Sequence, residues 1–162
     1  MWRPSDGVVA LTAYRLEDAP THLLADLDPH HCRAFEAPED FVATLEHVQG
    51  VIRGWMAPSE DVRVYAVRAV EDGALLGGVE VRVRGERTGS LAYWTYPAHR
   101  GRGVARRAVS LVVQRERALG RFSELLIWAG VWNTASHRVA EGCGFEAVPA
   151  RVQGERRYRL GL

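Results

Sequence analysis

Apolar and polar residues alternate in two neighbouring segments near the middle of the chain, residues 62–70 and 74–84. In the second segment, valines at every other position are separated by charged residues, so we expect a strand with one buried and one polar face. Asp72-Gly73 lies between the two segments and predicts a hairpin with a type I′ turn, in which both central residues have positive φ. A further strand over residues 88–96 would complete an antiparallel meander.

The N-terminal part predicts a strand over residues 8–14 and then a short, irregular helix over residues 16–27, interrupted by Pro20. Residues 28–31 are predicted to be a loop. A clearer helix is expected to begin at Pro38 and to stop before Pro58, because its apolar residues recur at spacings of three and four. These residues are Phe41, Leu45, Val48, Ile52 and Trp55.

The C-terminal part predicts a helix that begins after a glycine-rich loop and ends at Gly120, followed by a short apolar strand over residues 125–129. A helix over residues 134–141 and a terminal hairpin of residues 145–148 and 156–160 complete the chain. This order of elements is typical of a mixed α/β sandwich and not of a doubly wound nucleotide-binding fold. We expect residues 1–162 to form a single domain.

Composition narrows the class of protein further. The chain has 162 residues, 47% of them hydrophobic and 25% charged, and a formal net charge of +1. This balance is typical of a globular protein with a substantial core, and it disfavours a nucleic-acid binder, which usually has a larger basic excess. The sequence contains no apolar run long enough for a membrane span, no secretory signal, and only two cysteines. The expectation is therefore a reduced, cytoplasmic protein with no membrane or metal partner.

The segment from Tyr96 to Ala105 carries the first candidate site. A predicted strand ends, glycines at positions 101 and 103 turn the chain, and an amphipathic helix begins. The first amides of a helix have no internal partner and its dipole favours an anion, so this junction suits a phosphate or diphosphate. Arg100 and Arg102 would add charge-assisted hydrogen bonds. The alternative is a plain glycine turn with two solvated arginines.

The spacing excludes two familiar phosphate loops. The segment lacks the Gly-Lys-Ser/Thr ending of the NTPase loop and the three glycines of the dinucleotide fingerprint. It does match the pattern Arg/Gln-x-x-Gly-x-Gly/Ala through Arg100, Gly103 and Ala105. A second candidate lies downstream, where Asn133 ends a predicted strand and Ser136 follows one helical turn later. An asparagine here either offers its amide to a peptide-like ligand or caps the helix.

Together, residues 93–105 and 133–145 resemble the GNAT acetyltransferase superfamily, and more narrowly its branch of Rim-type ribosomal-protein N-acetyltransferases. The branch traits are Tyr93-Trp94 before the loop and Asn-x-x-Ser-x-Arg-Val leading to Gly-Phe at residues 133–145. The match is dense over residues 77–145 and weaker in the N-terminal half. It implies an α/β (α+β) GNAT fold, with a mostly antiparallel sheet of six to seven strands flanked by about four helices.

The resemblance also implies acetyl-CoA as cosubstrate and no metal. The backbone of the loop would hold the coenzyme diphosphate, through Arg100, Gly101, Arg102, Gly103, Val104 and Ala105. The preceding strand is implied to bulge around Thr95, whose amide would polarise the thioester carbonyl. Asn133 would hydrogen-bond the pantetheine arm, and Ser136 would lie near it.

The implied reaction is direct attack of a primary amine on the thioester, the acceptor being a peptide N-terminus or a small molecule. Many relatives have a tyrosine acid seven residues after the asparagine, where this chain has Ala140, and some have a glutamate base where it has Trp128. Tyr93 is the remaining candidate for proton transfer. His30 and His31 fall where acceptor-side loops usually lie.

Two other classes of function stay open. One is a catalytically silent coenzyme A-binding module, since the usual tyrosine is missing. The other is a nucleic-acid-binding protein that uses the arginines at positions 100, 102, 106 and 107. The sequence does not distinguish a monomer from a homodimer, nor does it identify the acceptor amine.

Overall fold

The computed structural model describes residues 4–162, and seven strands within them form one sheet. The strands are β1 (Val9–Thr12), β2 (Val62–Ala69), β3 (Leu75–Gly85), β4 (Thr88–Thr95), β5 (Glu124–Gly130), β6 (Glu146–Val148) and β7 (Glu155–Gly161). Their order across the sheet is β1-β2-β3-β4-β5-β7-β6. Every neighbouring pair is antiparallel except β4 and β5, which run parallel. The predicted mixed, mostly antiparallel sheet is thus confirmed.

Helices cover both faces of the sheet. They are α1 (Ala19–Asp26), α2 (Pro29–Ala34), α3 (Leu45–Met56), α4 (Val104–Leu119) and α5 (Thr134–Gly142). Helix α4 packs its apolar stripe on one face, where Ala108, Val109 and Val112 meet strand residues such as Val79 and Val81. Helices α1 and α3 cover the other face above Trp94 and Tyr96. Within residues 4–162, none of the helices has the length and apolar character that a membrane crossing requires.

Three predictions for the N-terminal half were wrong. Residues 28–31 are not a loop, because the Asp28 carboxylate accepts the His31 N–H at 2.9 Å and so caps α2, which begins at Pro29. Pro20 does not interrupt a helix, since it lies in the first turn of α1, where a missing N–H costs nothing. The third helix begins at Leu45 and not near Pro38, because the Thr44 hydroxyl caps it by accepting the His47 N–H.

The central meander is confirmed, with one correction at its first turn. Val79 and Val81 of β3 are buried, whereas Glu80 is only half-buried, as the alternation predicts. The predicted type I′ turn does not form, because Gly73 has a φ of 75° while Asp72 has a negative φ. Instead, the Gly73 N–H bonds to the Ala69 carbonyl at 3.0 Å and closes a longer loop.

A buried ion pair joins the start of the helical layer to the sheet. The guanidinium of Arg68 on β2 donates to both carboxylate oxygens of Asp18, at 3.0 and 2.6 Å. Both side chains are about nine-tenths buried. A bidentate pair in this setting holds the chain immediately before α1 in one place on the sheet.

Candidate active site

The strands β4 and β5 separate along their length and open a cleft between them. They pair only where Thr88–Ser90 lie beside Glu124–Leu126. Beyond Ser90, that edge of β4 has no strand partner among residues 4–162. The cleft formed there has a volume of about 460 Å³.

The backbone of β4 offers hydrogen-bonding groups to this cleft. The Tyr96 N–H bonds to the Leu76 carbonyl of the preceding strand at 3.0 Å. Because successive residues of a strand direct their amides to opposite edges, Thr95 and Tyr93 direct theirs away from β3 and towards the cleft. The expected bulge at Thr95 is absent, since the pairing with β3 continues without a shift through Gly77 and Thr95. The Thr95 amide is exposed because β5 diverges from β4, so its exposure does not require a bulge.

The glycine-rich loop lies at the wide end of the cleft. Gly101 and Gly103 both have a φ of 75°, in the left-handed region that favours glycine. Gly103 is the N-cap of α4, and its carbonyl accepts the Arg107 N–H at 3.1 Å. The N–H groups of the first helical turn therefore have no acceptor within the helix and are available to an anion.

The four arginines between residues 100 and 107 make different contacts. Arg100 donates to the Asp28 carboxylate at 2.7 Å and ties the loop to the start of α2, and this hydrogen bond holds the pKa of Asp28 below its ordinary value. Arg107 pairs with Asp6 at 2.6 Å. Arg106 lines the cleft, whereas Arg102 is exposed and does not. Two of the four arginines thus neutralise carboxylates of the same chain.

Asn133 performs the capping role and keeps a donor for a ligand. Its Oδ1 accepts the Ser136 N–H at 3.2 Å and caps α5. The side chain is buried at the cleft wall, and within residues 4–162 its Nδ2 donates to no acceptor. The two alternatives that the sequence left open are therefore compatible, since different atoms serve them.

The side chain of Tyr93 contacts α5. Its hydroxyl lies 2.9 Å from both the carbonyl oxygen and the Oγ of Ser136. Because the carbonyl can only accept, the phenol donates to it. Burial raises the pKa of Tyr93 well above its ordinary value, so the phenol keeps its proton at neutral pH.

The structure brings most of the predicted site residues to one cleft. Those that line it are Tyr93, Thr95, Arg100, Gly101, Gly103, Val104, Ala105, Asn133 and Ser136. The sequence prediction placed His31 on the acceptor side but missed the helix α2, which contributes His31 and Ala34 to the same wall, with Phe35 directly after it. Residues 28–31 were predicted to be a loop, and only the capping signal of Asp28 before Pro29 indicates the helix.

A second, smaller cavity of about 210 Å³ adjoins the cleft. His31, Phe35 and Trp94 line both spaces, so the two meet at these side chains. Six of its twelve lining residues are aromatic or aliphatic, and the other six carry polar groups. The polar groups are His22, Asp26, His31, Cys32, His47 and Glu80.

A helix start suited to an anion lies beside an open strand edge, and a second pocket adjoins the same cleft. This is the arrangement expected of an acyl-coenzyme A-dependent transferase. The family profile for the acetyltransferase (GNAT) domain matches residues 9–146. The chain therefore belongs to the GNAT acetyltransferase family and is an acetyl-CoA-dependent N-acetyltransferase. No curated protein matches the chain in sequence.

Several solved structures share the fold. The microcin C7 self-immunity acetyltransferase MccE, in complex with acetyl-CoA and AMP, is 19% identical with a TM-score of 0.81, over 98% of this chain and 94% of that chain. The ribosomal L7/L12 alpha-N-protein acetyltransferase RimL, in complex with coenzyme A, is 15% identical with a TM-score of 0.82, over 98% and 96%. Mycobacterium smegmatis RimJ, in complex with a CoA-disulfide, is 18% identical with a TM-score of 0.79, over 98% and 84%. Identities this low establish a common fold and not a common acceptor.

Proposed function

We propose that the protein transfers the acetyl group of acetyl-CoA to a primary amine, by direct attack of the amine on the thioester. The observation that carries this proposal is the meeting of the two cavities at His31, Phe35 and Trp94. An acyl donor laid along the open edge of β4 would bring its thioester to this junction, beside Thr95, and an amine in the smaller cavity would approach it there.

The donor would be held mainly by backbone groups. The N–H groups that follow Gly101 and Gly103 would bind the diphosphate, and Arg106 lies beside them. The pantetheine arm would then pair with the exposed edge of β4 as an additional strand does. The free Nδ2 of Asn133 supplies a further donor on the opposite wall.

The reaction forms a C–N bond and breaks the C–S bond through a tetrahedral intermediate. Negative charge develops on the thioester oxygen, and the Thr95 N–H is the donor that we assign to it. A donor of this kind is typically worth about 3–4 kcal/mol of transition-state stabilisation. The nitrogen loses one proton, and the departing thiolate of coenzyme A takes one up.

The acceptor must reach the thioester as a neutral amine. A free α-amine has a pKa near 8 and costs about 1.4 kcal/mol to neutralise at pH 7, whereas a lysine costs roughly 4.6. Tyr93 is our candidate for protonating the thiolate, because it lines the cleft and stays protonated. Its hydroxyl must exchange its hydrogen bond to the Ser136 carbonyl to do so.

Two measurements test the proposal. Acetyl-CoA should raise the melting temperature, and release of thiol should be measured with protein N-terminal peptides, lysine and small amines, with amine-free reactions as the blank for Cys32 and Cys143. We expect stabilisation together with amine-dependent thiol release. Stabilisation without turnover of any amine would indicate a silent coenzyme A-binding module instead, and the absence of both would refute coenzyme binding at this cleft.

A further inference from the structure

Three side chains on one wall of the smaller cavity bring cation-binding atoms together. The Asp26 Oδ1 lies 3.8 Å from the Nε2 of His22 and 3.8 Å from the Nε2 of His31. All three atoms lie within 4.8 Å of one another. These separations are too long for direct hydrogen bonds. Within residues 4–162, the Asp26 carboxylate accepts no hydrogen bond, although its side chain is only 13% exposed.

A chain of buried polar atoms leads from the sheet to His22. The Tyr14 hydroxyl lies 3.2 Å from the Gly77 carbonyl and 3.0 Å from the Tyr96 hydroxyl. The His22 Nδ1 lies 2.8 Å from the Tyr96 hydroxyl, and one of these two atoms donates to the other. In the tautomer that carries its proton on Nδ1, His22 presents its Nε2 to Asp26 as an acceptor.

Both imidazoles of the cluster are uncharged and can direct a lone pair at the cation position. Burial lowers the pKa of both His22 and His31 to about 4, so that both rings are neutral at pH 7. A neutral His31 in its Nδ1–H form presents the same kind of lone pair at Nε2. Three acceptors around one point repel each other unless a cation or a donor lies between them.

The spacing of the three atoms leaves room for a cation between them. With two sides of 3.8 Å and a third of no more than 4.8 Å, the point equidistant from the three atoms lies no more than about 2.5 Å from each. An ammonium nitrogen above that point can form hydrogen bonds of about 2.8 Å and has three protons, one for each acceptor. Zinc bonds of about 2.0–2.2 Å fall within the same limit, so the experiment below also tests for the metal.

We propose that His22, Asp26 and His31 bind the non-reacting ammonium group of a compact diamine acceptor. This inference rests on the proposed function and narrows its substrate class. The reacting nitrogen cannot be the one held here, because contact with a carboxylate favours the charged, non-nucleophilic form of an amine. The second nitrogen would extend from this site past His31 towards the thioester, since His31 lines both cavities.

The rest of the cavity suits a short carbon chain that ends in a cation. The ring of Trp55 lies 5.0 Å from that of His22, and Phe35, Phe41 and Trp94 complete the apolar wall. Aromatic faces attract cations within about 6 Å, most strongly where water is excluded. Asp26 is the carboxylate of the cluster; burial raises its pKa, and a bound ammonium group would favour its charged form.

The test compares two acceptors of equal length. We would measure kcat/KM for 1,5-diaminopentane and for 1-aminopentane, with the wild-type protein and with Asp26→Asn. The wild type should prefer the diamine at least 10-fold, and Asp26→Asn should lower kcat/KM for the diamine at least 10-fold and bring the ratio towards one. The acetyl-CoA-induced rise in melting temperature should persist in the variant. A tripeptide with lysine at its second position tests whether a peptide can supply the same second charge.

Asp61→Asn is the matched control, because Asp61 is an exposed carboxylate remote from both cavities and its loss should leave the diamine preference intact. Equal use of both pentyl amines by the wild type would overturn the ammonium site while leaving the proposed function standing. Calorimetric binding of one Zn²⁺ that Asp26→Asn abolishes, without a diamine preference, would overturn it in favour of a metal site. Failure of acetyl-CoA to bind would instead refute the proposed function.

Discussion

Substitution of alanine for Gly103 separates the role of the loop in binding from its role in the fold. Gly103 has a φ of 75° and lines the cleft at the N-terminus of α4. A Cβ added there meets no atom within 4 Å, so the only expected loss of folding stability comes from the left-handed backbone conformation. That cost is about 1 kcal/mol, or roughly 3 °C in melting temperature for a chain of this size.

Gly120 provides a matched control at the other end of the same helix. It has a φ of 62°, and an added Cβ again meets nothing within 4 Å. Gly120→Ala should therefore cost about the same stability as Gly103→Ala. It lies outside both cavities and should leave coenzyme binding unchanged.

The difference should appear in the affinity for acetyl-CoA. A methyl group at Gly103 would occupy space at the helix start that we propose for the diphosphate and would displace one charge-assisted hydrogen bond, which is worth about 1.5–3 kcal/mol. The KM for acetyl-CoA in the thiol-release assay should rise about 10- to 150-fold in Gly103→Ala and stay near the wild-type value in Gly120→Ala. Equal KM values for the two variants would show that the coenzyme phosphates do not bind at this loop.

Three further predictions follow from buried polar groups. Tyr93→Phe should lower kcat at least about 100-fold with little change in the KM for acetyl-CoA, as expected of a proton donor; a loss of stability alone would make Tyr93 a structural residue. The folded pKa of His22, about 4, lies below its ordinary 6.5, so the unfolded chain binds a proton first as the pH falls. Stability should thus decline by about 2 kcal/mol between pH 7 and 5 through this residue. Denaturant titrations should show that decline reduced in His22→Gln and retained in the exposed-site control His47→Gln. Asp18→Asn should cost about 3–5 kcal/mol, because it leaves Arg68 buried without its partner, and replacing both residues by apolar ones should cost less than replacing Asp18 alone.

The C-terminal half was predictable because its signals are local. The apolar stripe of α4 and the glycine at each of its ends mark the helix on sequence alone, and Gly103 and Gly120 both adopt the positive φ that glycine permits. The alternation in β3 predicts its buried face for the same reason. Each of these features depends on residues within one or two turns of each other.

The acceptor side was not predictable in this way. Spacing suggested a helix that includes Phe41, but the Thr44 cap starts the helix after this first apolar position of the repeat. The cluster of His22, Asp26 and His31 combines two helices, and its chemistry depends on Tyr96, which is 74 residues away from His22 in the chain. No pattern within one helix or strand could have predicted the contact between His22 and Tyr96.

The short helix α2 contacts both the phosphate loop and the opposite wall of the donor cleft, and it also lines the acceptor pocket. Asp28 at its start holds Arg100 of the phosphate loop at 2.7 Å, and Arg33 at its end stacks on Trp132, beside Asn133, with 4.1 Å between guanidinium and ring centre. Between these two anchors, His31 faces both cavities. Each wall of the donor cleft is thus attached to the helix that carries part of the acceptor pocket.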